Sequence, residues 1–247
     1  MPLLDSVVQC INPGVMASNR TLIDCTGRGL HGTMTSTASL GASVCRGVSS
    51  NTMLQNQTSD WVTFPSSLSS VLRVDKWSIG FWARLSNPYQ IVYSNAFTSG
   101  LLIYCSTSGG LGFGFQIGIG GTYPVRSSSE LFVANEWCHG GISYSDKDIA
   151  FYLNGKNIGT AVATNNPTWG ASSYGGWSTS PTETTLGNLG ELVLWNRPLS
   201  APEWRELYRQ GNGAIGRQLT GQTRRRVYGF VPAAAGARRR RILTGMV

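Results

Sequence analysis

Apolar and polar positions alternate with a period of two through most of this chain, in short runs. Leu111, Phe113, Phe115, Ile117 and Ile119 fall on one side of the segment 111–119, with Gly112, Gly114, Gln116 and Gly118 on the other. That alternation predicts a half-buried strand. Trp77, Ile79, Phe81 and Ala83 alternate in the same way. The segment 149–158 predicts a hairpin, because Asn154-Gly155 supplies the two positive-φ residues of a type I′ turn. Further strands are predicted near 5–12, 31–37, 60–64, 89–95, 100–106, 137–144 and 190–196. Short strands at even spacing, with turn residues between them, argue for an antiparallel sandwich. The period changes to a helical one at a single place. Ser200-Ala-Pro-Glu203 has the form of a capping box with proline in the first turn, and Trp204, Leu207 and Tyr208 form an apolar stripe behind it. This helix is predicted to run to about Gln210, where Gly211-Asn212-Gly213 stops it.

Composition supports the same class. The 247 residues are enough to bury a sizeable core, only 13% are charged, and Gly contributes 31. No run has the roughly 18 continuous apolar residues of a membrane span. The N-terminus, Met1-Pro-Leu-Leu-Asp5, has neither a basic region nor a long apolar one, so no secretory leader is expected. Cys10, Cys25, Cys45, Cys105 and Cys138 are odd in number and have no C-x-x-C spacing, which argues against a zinc site. Cys105 and Cys138 lie in predicted strands and read as buried free thiols. The alternative is a disulfide in an oxidising compartment, and without a leader the reduced form is favoured.

Charge divides the chain. Residues 1–209 hold 12 Lys+Arg and 12 Asp+Glu, whereas residues 210–247 hold eight arginines, no lysine and no acid, so the net +8 belongs to the end. The arginines are Arg217, Arg224, Arg225, Arg226, Arg238, Arg239, Arg240 and Arg241. The expected organisation is therefore a neutral body over 1–210 and a basic extended arm over 211–247.

Several segments carry a family resemblance, in order. They are Asp24-Cys-Thr-Gly-Arg-Gly-Leu-His-Gly-Thr33, Asp60-Trp-Val-Thr-Phe-Pro65 and Trp77-Ser-Ile-Gly-Phe-Trp-Ala83. Next come Glu136-Trp-Cys-His139 with Phe151-Tyr-Leu-Asn-Gly155, and finally Gly190-Glu-Leu-Val-Leu-Trp-Asn-Arg-Pro-Leu-Ser200. Together they resemble the laminin-G-like branch of the concanavalin A-like lectin/glucanase superfamily over about residues 5–210. The resemblance implies an all-β, two-sheet antiparallel jelly-roll sandwich with one short C-terminal helix, and it leaves the arm outside.

Candidate chemistry is sparse. Glucanases of this superfamily carry paired carboxylates on one strand, in a Glu-x-Asp-x-x-Glu type of motif, and none occurs here. Glu183 and Glu191 are single carboxylates in different segments, so no catalytic residue is expected and the chain is read as a non-enzyme. His31 and His139 read as structural, since neither has a visible nucleophile and orienting partner. Some relatives bind calcium, but Asp146-Lys-Asp148 reads as a solvated turn, not an oxygen cage. No metal and no cofactor are expected. The loop 167–177 offers Trp169, Tyr174 and Trp177 on a polar, Gly-rich backbone. Such rings suit sugar stacking or a protein contact; alternatively they fold back to cap the core.

In the arm, Arg224–Arg226 and Arg238–Arg241 flank Val227–Ala237, which reaches roughly 36–40 Å when extended. Tyr228 and Phe230, with Val231, Ile242 and Leu243, suit apolar pockets on a partner while the arginines pair with carboxylates. Nucleic acid is a weaker expectation, because the body is neutral and lacks a nucleic-acid motif. A membrane surface is weaker still, for want of an amphipathic helix. Small laminin-G-like proteins with Arg-rich tails look similar to phage virion components. The leading expectation is thus a non-enzymatic capsid-decoration or tail-associated protein on the virion surface, contacting other virion proteins and copies of itself. The alternative is a carbohydrate-binding adhesin that meets a host glycan through the 169–177 loop.

Overall fold

The computed structural model describes residues 2–16, 20–35, 39–45, 48–55, 60–86, 90–95, 100–106, 114–119, 122–126, 133–171, 173–175 and 187–221. Its strands are β1 (Val7–Met16), β2 (Thr21–Asp24), β3 (Gly32–Met34), β4 (Ser39–Cys45), β5 (Val48–Gln55), β6 (Val62–Phe64), β7 (Lys76–Leu85) and β8 (Gln90–Asn95). They continue as β9 (Leu101–Ser106), β10 (Gly114–Ile119), β11 (Thr122–Arg126), β12 (Trp137–Ser145), β13 (Asp148–Leu153), β14 (Lys156–Val162), β15 (Ser173–Gly175) and β16 (Gly187–Trp195). Three short helices, α1 (Ser67–Val71), α2 (Ala201–Gln210) and α3 (Ala214–Leu219), complete the body.

All pairings are antiparallel and follow one path, β11-β10-β9-β8-β15-β6-β3-β2-β1-β16-β7-β12-β13-β14, with β5 joining β16 to β4. β1 links the two halves of this path, pairing with β16 through Val7–Ile11 and with β2 through Ile11–Met16 across a register shift. One core then draws Met34, Val62, Phe64, Tyr93 and Ile103 from the first half and Ile79, Phe81, Ile142, Phe151 and Leu194 from the second. This is the expected two-layer sandwich. The period-two pattern of β7 is realised as predicted: Trp77, Ile79, Phe81, Ala83 and Leu85 all enter this core. The 149–158 hairpin also forms, with Asn154 at φ 51° and Gly155 at φ 79°.

The outer face of β1, β16, β7, β12 and β13 is apolar too, and a second core covers it, made of Leu3, Val7, Cys10, Cys25, Tyr152, Val193, Trp195, Leu199, Trp204, Leu207 and Ile215. α2 delivers its centre. Gly80 and Gly141 are cross-strand partners, and the Trp204 ring lies on the bare backbone they present. The indole N–H donates to Ser143 Oγ at 2.8 Å, and that hydroxyl donates to Leu199 O at 2.7 Å. The helix starts where predicted. Ser200 N–H donates to Glu203 Oε2 at 2.9 Å in a capping box, and Arg197 pairs with Glu203 Oε1 at 2.6 Å. Gly155 lies under the same helix, in a left-handed turn that only glycine fills without strain.

The boundary expected at residue 210 moves. Gly211 (φ 83°) and Gly213 (φ 76°) turn the chain back instead of releasing it, and α3 packs with Ala214, Ile215 and Gly216 buried. A bulge in β16 makes its seat. Register against β7 shifts between Leu189 and Leu192, which re-phases the strand and turns Glu191 outward. Asn212 Oδ1 accepts from Glu191 N–H at 2.8 Å, in the space a Cβ at Gly190 would occupy. Glu191 accepts in turn from Ile215 N–H at 3.3 Å and Gly216 N–H at 2.6 Å. Arg217, counted above with the arm, donates to Asn212 O at 2.8 Å. The body therefore reaches residue 221, and seven of the eight arginines remain beyond it.

Packing at the glycine pair predicts a sharp steric response. A Cβ at Gly141 would lie 2.6 Å from the Trp204 ring. Gly141→Ala should cost about 2–3 kcal/mol and Trp204→Ala about 3–5 kcal/mol. Urea unfolding measures both, and a neutral Gly141→Ala would show that the ring is not seated as described.

Burial raises the Glu191 carboxyl to about 7, and the backbone N–H groups of Gly216 and Ile215 only partly offset that. Its folded value exceeds its unfolded one. Its contribution is therefore fully present below about pH 4.5 and lost as pH rises through 7, on the order of 3 kcal/mol in all. Glu203 acts in the opposite sense: Arg197 holds it down to about 2, so its contribution is present above pH 4.5 and lost as pH falls through 2. Stability measured against pH should decline between 4.5 and 7, and Glu191→Gln should flatten that limb. An unchanged slope in the variant would reject the assignment.

Candidate functional site

Two of the three aromatic residues of the 167–177 loop, Trp169 and Tyr174, are described, and their placements differ. Trp169 is half-buried. Its ring meets Trp77 edge-on at 5.8 Å, and its N–H donates to Arg73 O at 2.8 Å. It therefore helps close one end of the core. Tyr174 lies on β15, a strand inside what was expected to be a loop. There Tyr174 stands between Thr63 of β6 and Ser94 of β8. Its neighbours Ser173 and Gly175 are buried, so Tyr174 faces the opposite side of the sheet. The same cross-strand row continues through Thr63 and Thr33 to Thr21. Trp177 lies outside the described residues. So do Arg224, Arg225, Arg226, Tyr228, Phe230, Arg238, Arg239, Arg240 and Arg241.

Both histidines have structural placements. His31 Nδ1 accepts from Asp24 N–H at 3.1 Å. The Asp24 carboxylate, itself buried, accepts from Cys10 N–H and Thr26 N–H at 3.1 Å and from Leu30 N–H at 3.3 Å. That explains the early Asp-x-x-Gly-x-Gly-x-His segment: a carboxylate and an imidazole brace a turn whose Gly27 and Gly29 have positive φ. His139 is buried in an aromatic stack, 5.0 Å from Trp82 and 5.8 Å from Trp204. Glu191, with its raised pKa, resembles a catalytic acid by titration alone. However, its oxygens are held by the α3 backbone, and it lines a cavity of only about 10 Å³ beside His139 and Trp82. No substrate fits there. Among the described residues no group of three His, Cys, Asp or Glu is placed to hold a metal ion. Among them, too, no helix is long and apolar enough to cross a membrane.

An open groove of about 480 Å³ lies on the outer face of the helix-covered layer, where the helices stop short of the sheet edge. Two cross-strand rows form its floor. One is Ser143, Ala150 and Thr160; the other is Ser145, Asp148 and Val162. Small side chains in the first row leave the volume unfilled. Pro198 and Leu199, in the turn leading into α2, form one wall, and Tyr152, stacked on Trp204 at 5.3 Å, closes the inner end. The Ser143 hydroxyl is committed to Trp204 and Leu199. Ser145, the exposed Asp148 and the exposed Thr160 remain at the mouth, beside Val162 at 67% exposure. The groove thus offers an apolar strip flanked by a carboxylate and two hydroxyls, with a volume in the range of small-molecule sites. Residue spacing did not point to it, since its members come from three strands and the turn before α2.

No curated protein sequence matches this chain. Among solved structures, domain 4 of the extracellular arabinanase AbnA from Geobacillus stearothermophilus, in complex with arabinotriose, aligns with TM-score 0.62 at 15% identity. That alignment covers 81% of this chain and 97% of that one. The binding domain of Paraclostridial Mosquitocidal Protein 1 aligns with TM-score 0.66 at 14% identity, over 83% of this chain and 52% of that one. Trypanosoma rangeli sialidase in complex with sialic acid aligns with TM-score 0.58 at 12% identity, over 83% of this chain and 33% of that one. The chain thus spans the arabinanase domain almost entirely but only about half of the toxin binding domain. At these identities the alignments establish the fold alone. A laminin G family model matches residues 56–203, more than half of the sequence, so the chain belongs to the concanavalin A-like lectin/glucanases superfamily.

Proposed function

We propose that the body is a non-enzymatic carbohydrate-binding domain whose ligand lies in the groove over β12, β13 and β14. The observation that carries this reading is the lining. Ala150, Val162 and Pro198 supply the apolar strip that a sugar ring's C–H face needs, while Asp148, Ser145 and Thr160 supply acceptors and donors for its hydroxyls. Two neighbours in fold were solved with arabinotriose and sialic acid, and a botulinum neurotoxin D ligand-binding domain was solved with N-acetylneuraminic acid. These support a saccharide as the ligand class. The non-enzymatic reading rests on the absence of a paired-carboxylate motif in the sequence and on the enclosure of Glu191.

The Arg-rich segment 222–247 has a separate role in this proposal. It carries seven arginines and no acid beyond a body that is nearly neutral. It attaches the domain to a larger assembly, with a virion surface (capsid or tail) as the setting, virion proteins and copies of this chain as partners, and a host glycan as the body's target. Arginine clusters favour carboxylate-rich partner surfaces through paired hydrogen bonds.

A glycan array probed with the full chain should identify bound saccharides. Asp148→Ala should weaken the best of them about 10-fold or more, and Thr160→Arg, from the exposed edge strand, should block it with the melting temperature unchanged. Binding that survives both substitutions would move the site elsewhere, and no binding to any saccharide would remove the carbohydrate reading. Deleting residues 222–247 should leave folding and saccharide binding intact while abolishing attachment to the particle. Attachment by the truncated chain would overturn the role given to the arm.

A further inference from the structure

We propose that Cys10 and Cys25 are a thiol pair that closes reversibly into a disulfide across β1 and β2, taking a small-molecule disulfide such as oxidised glutathione as the oxidant. Their positions carry the argument. Ile11 pairs with Asp24, and Cys25 N–H donates to Cys10 O at 2.8 Å, so the two cysteines stand directly opposite each other. Residues opposite in an antiparallel pair point to the same face with Cα atoms about 4.5–5.5 Å apart, within the span a disulfide bridges. Both side chains belong to the second core, and both are free thiols. The Cys10 thiol donates to Glu191 Oε1 at 3.7 Å; its nearness lowers the Cys25 pKa, whereas burial raises that of Cys10.

The two thiols differ in access. Cys25 is 8% exposed and begins the turn whose residues 27–29 are exposed; Cys10 is fully buried. Cys25 is therefore the attacking group. Its thiolate, having lost its proton to solvent, displaces one glutathione thiolate and forms a mixed disulfide. Cys10 Sγ then attacks Cys25 Sγ, and the second glutathione thiolate leaves. The Cys10 proton passes to Glu191 Oε1, 3.7 Å from its sulfur, and from there to solvent. Two thiols are oxidised, one disulfide is reduced to two glutathiones, and the protons balance. Asp24 and Arg217 are the other charged groups near this cluster.

The bond would tie β1 to β2 beside the register shift in their pairing, and would close a loop of 15 residues' separation in the unfolded chain. Conditions outside a reducing cytoplasm would then lock β1 to β2 covalently.

The full chain, equilibrated in oxidised and reduced glutathione and then alkylated and digested, should yield a single new link, between Cys10 and Cys25, with loss of about 2 Da. The melting temperature should rise on the order of 5–10 °C and return with dithiothreitol. Cys25→Ser should abolish both changes. Glu191→Gln should slow the second step at least tenfold near pH 7 while leaving the final extent unchanged; a wild-type rate would take Glu191 out of the step. Peptide mapping of the unaltered chain decides the matter even if a variant folds poorly. Both thiols still alkylating at full oxidation, or a link to Cys45, Cys105 or Cys138 instead, would overturn the proposal.

Discussion

Gly80 and Gly141 stand opposite each other on neighbouring strands, and the bare backbone they leave is filled by the Trp204 indole. Much else is organised around that contact. It holds α2 flat on the outer face of the sheet, so that Tyr208 stacks on Trp82 and Leu207 enters the second core. It ties the helix to Ser143, and through that hydroxyl to Leu199 and Ser78. A sandwich of this size could leave that face to solvent, as antiparallel sheets commonly do. Here the face is apolar, and without its indole a large hydrophobic surface would be exposed.

The same face has to accommodate a polar intruder. The β16 bulge turns Glu191 into a space with little solvent, and the α2–α3 segment answers it: Asn212 Oδ1 accepts from Glu191 N–H, while Ile215 and Gly216 N–H donate to the carboxylate. Hydrogen bonds compensate only part of the cost of burying a carboxylate, which is why its proton is held to near neutrality. This buried group joins α3 to the sheet, and it stands beside the paired thiols of Cys10 and Cys25.

The candidate groove is the other consequence of helix placement. α2 reaches across β7 and β12 but leaves the outer rows of β13 and β14 uncovered. The side chains there are too small to fill the space beneath Pro198 and Leu199. The site is thus the margin of the second core, and its polar groups are those that the edge strands expose.

Some of this was legible in the residues alone. A period-two apolar run announced β7, short runs between turn residues announced β12 and β16, and local turn chemistry announced the Asn154-Gly155 hairpin and the α2 cap. Those features depend on neighbours in sequence, which is what a pattern records. β4 and β5, rich in Ser, Gly and Asn, and the three-residue β15 gave no such signal, since they are held as strands by pairing with β16 and with β6 and β8. Gly211-Asn212-Gly213 reads as a stop, yet the chain continues into α3 because Glu191, some twenty residues earlier, waits to receive its backbone. Trp169 read equally as a ligand contact or as a cap on the core, and Trp77, brought against it by the fold, makes it a cap. The sequence by itself determined the class of fold, the strand periods, the helix cap and the segregation of charge into the last residues. The tertiary structure decided which aromatic rings are buried, where the body ends, where the groove opens and which cysteines face each other, because each of these requires residues far apart in the chain to meet.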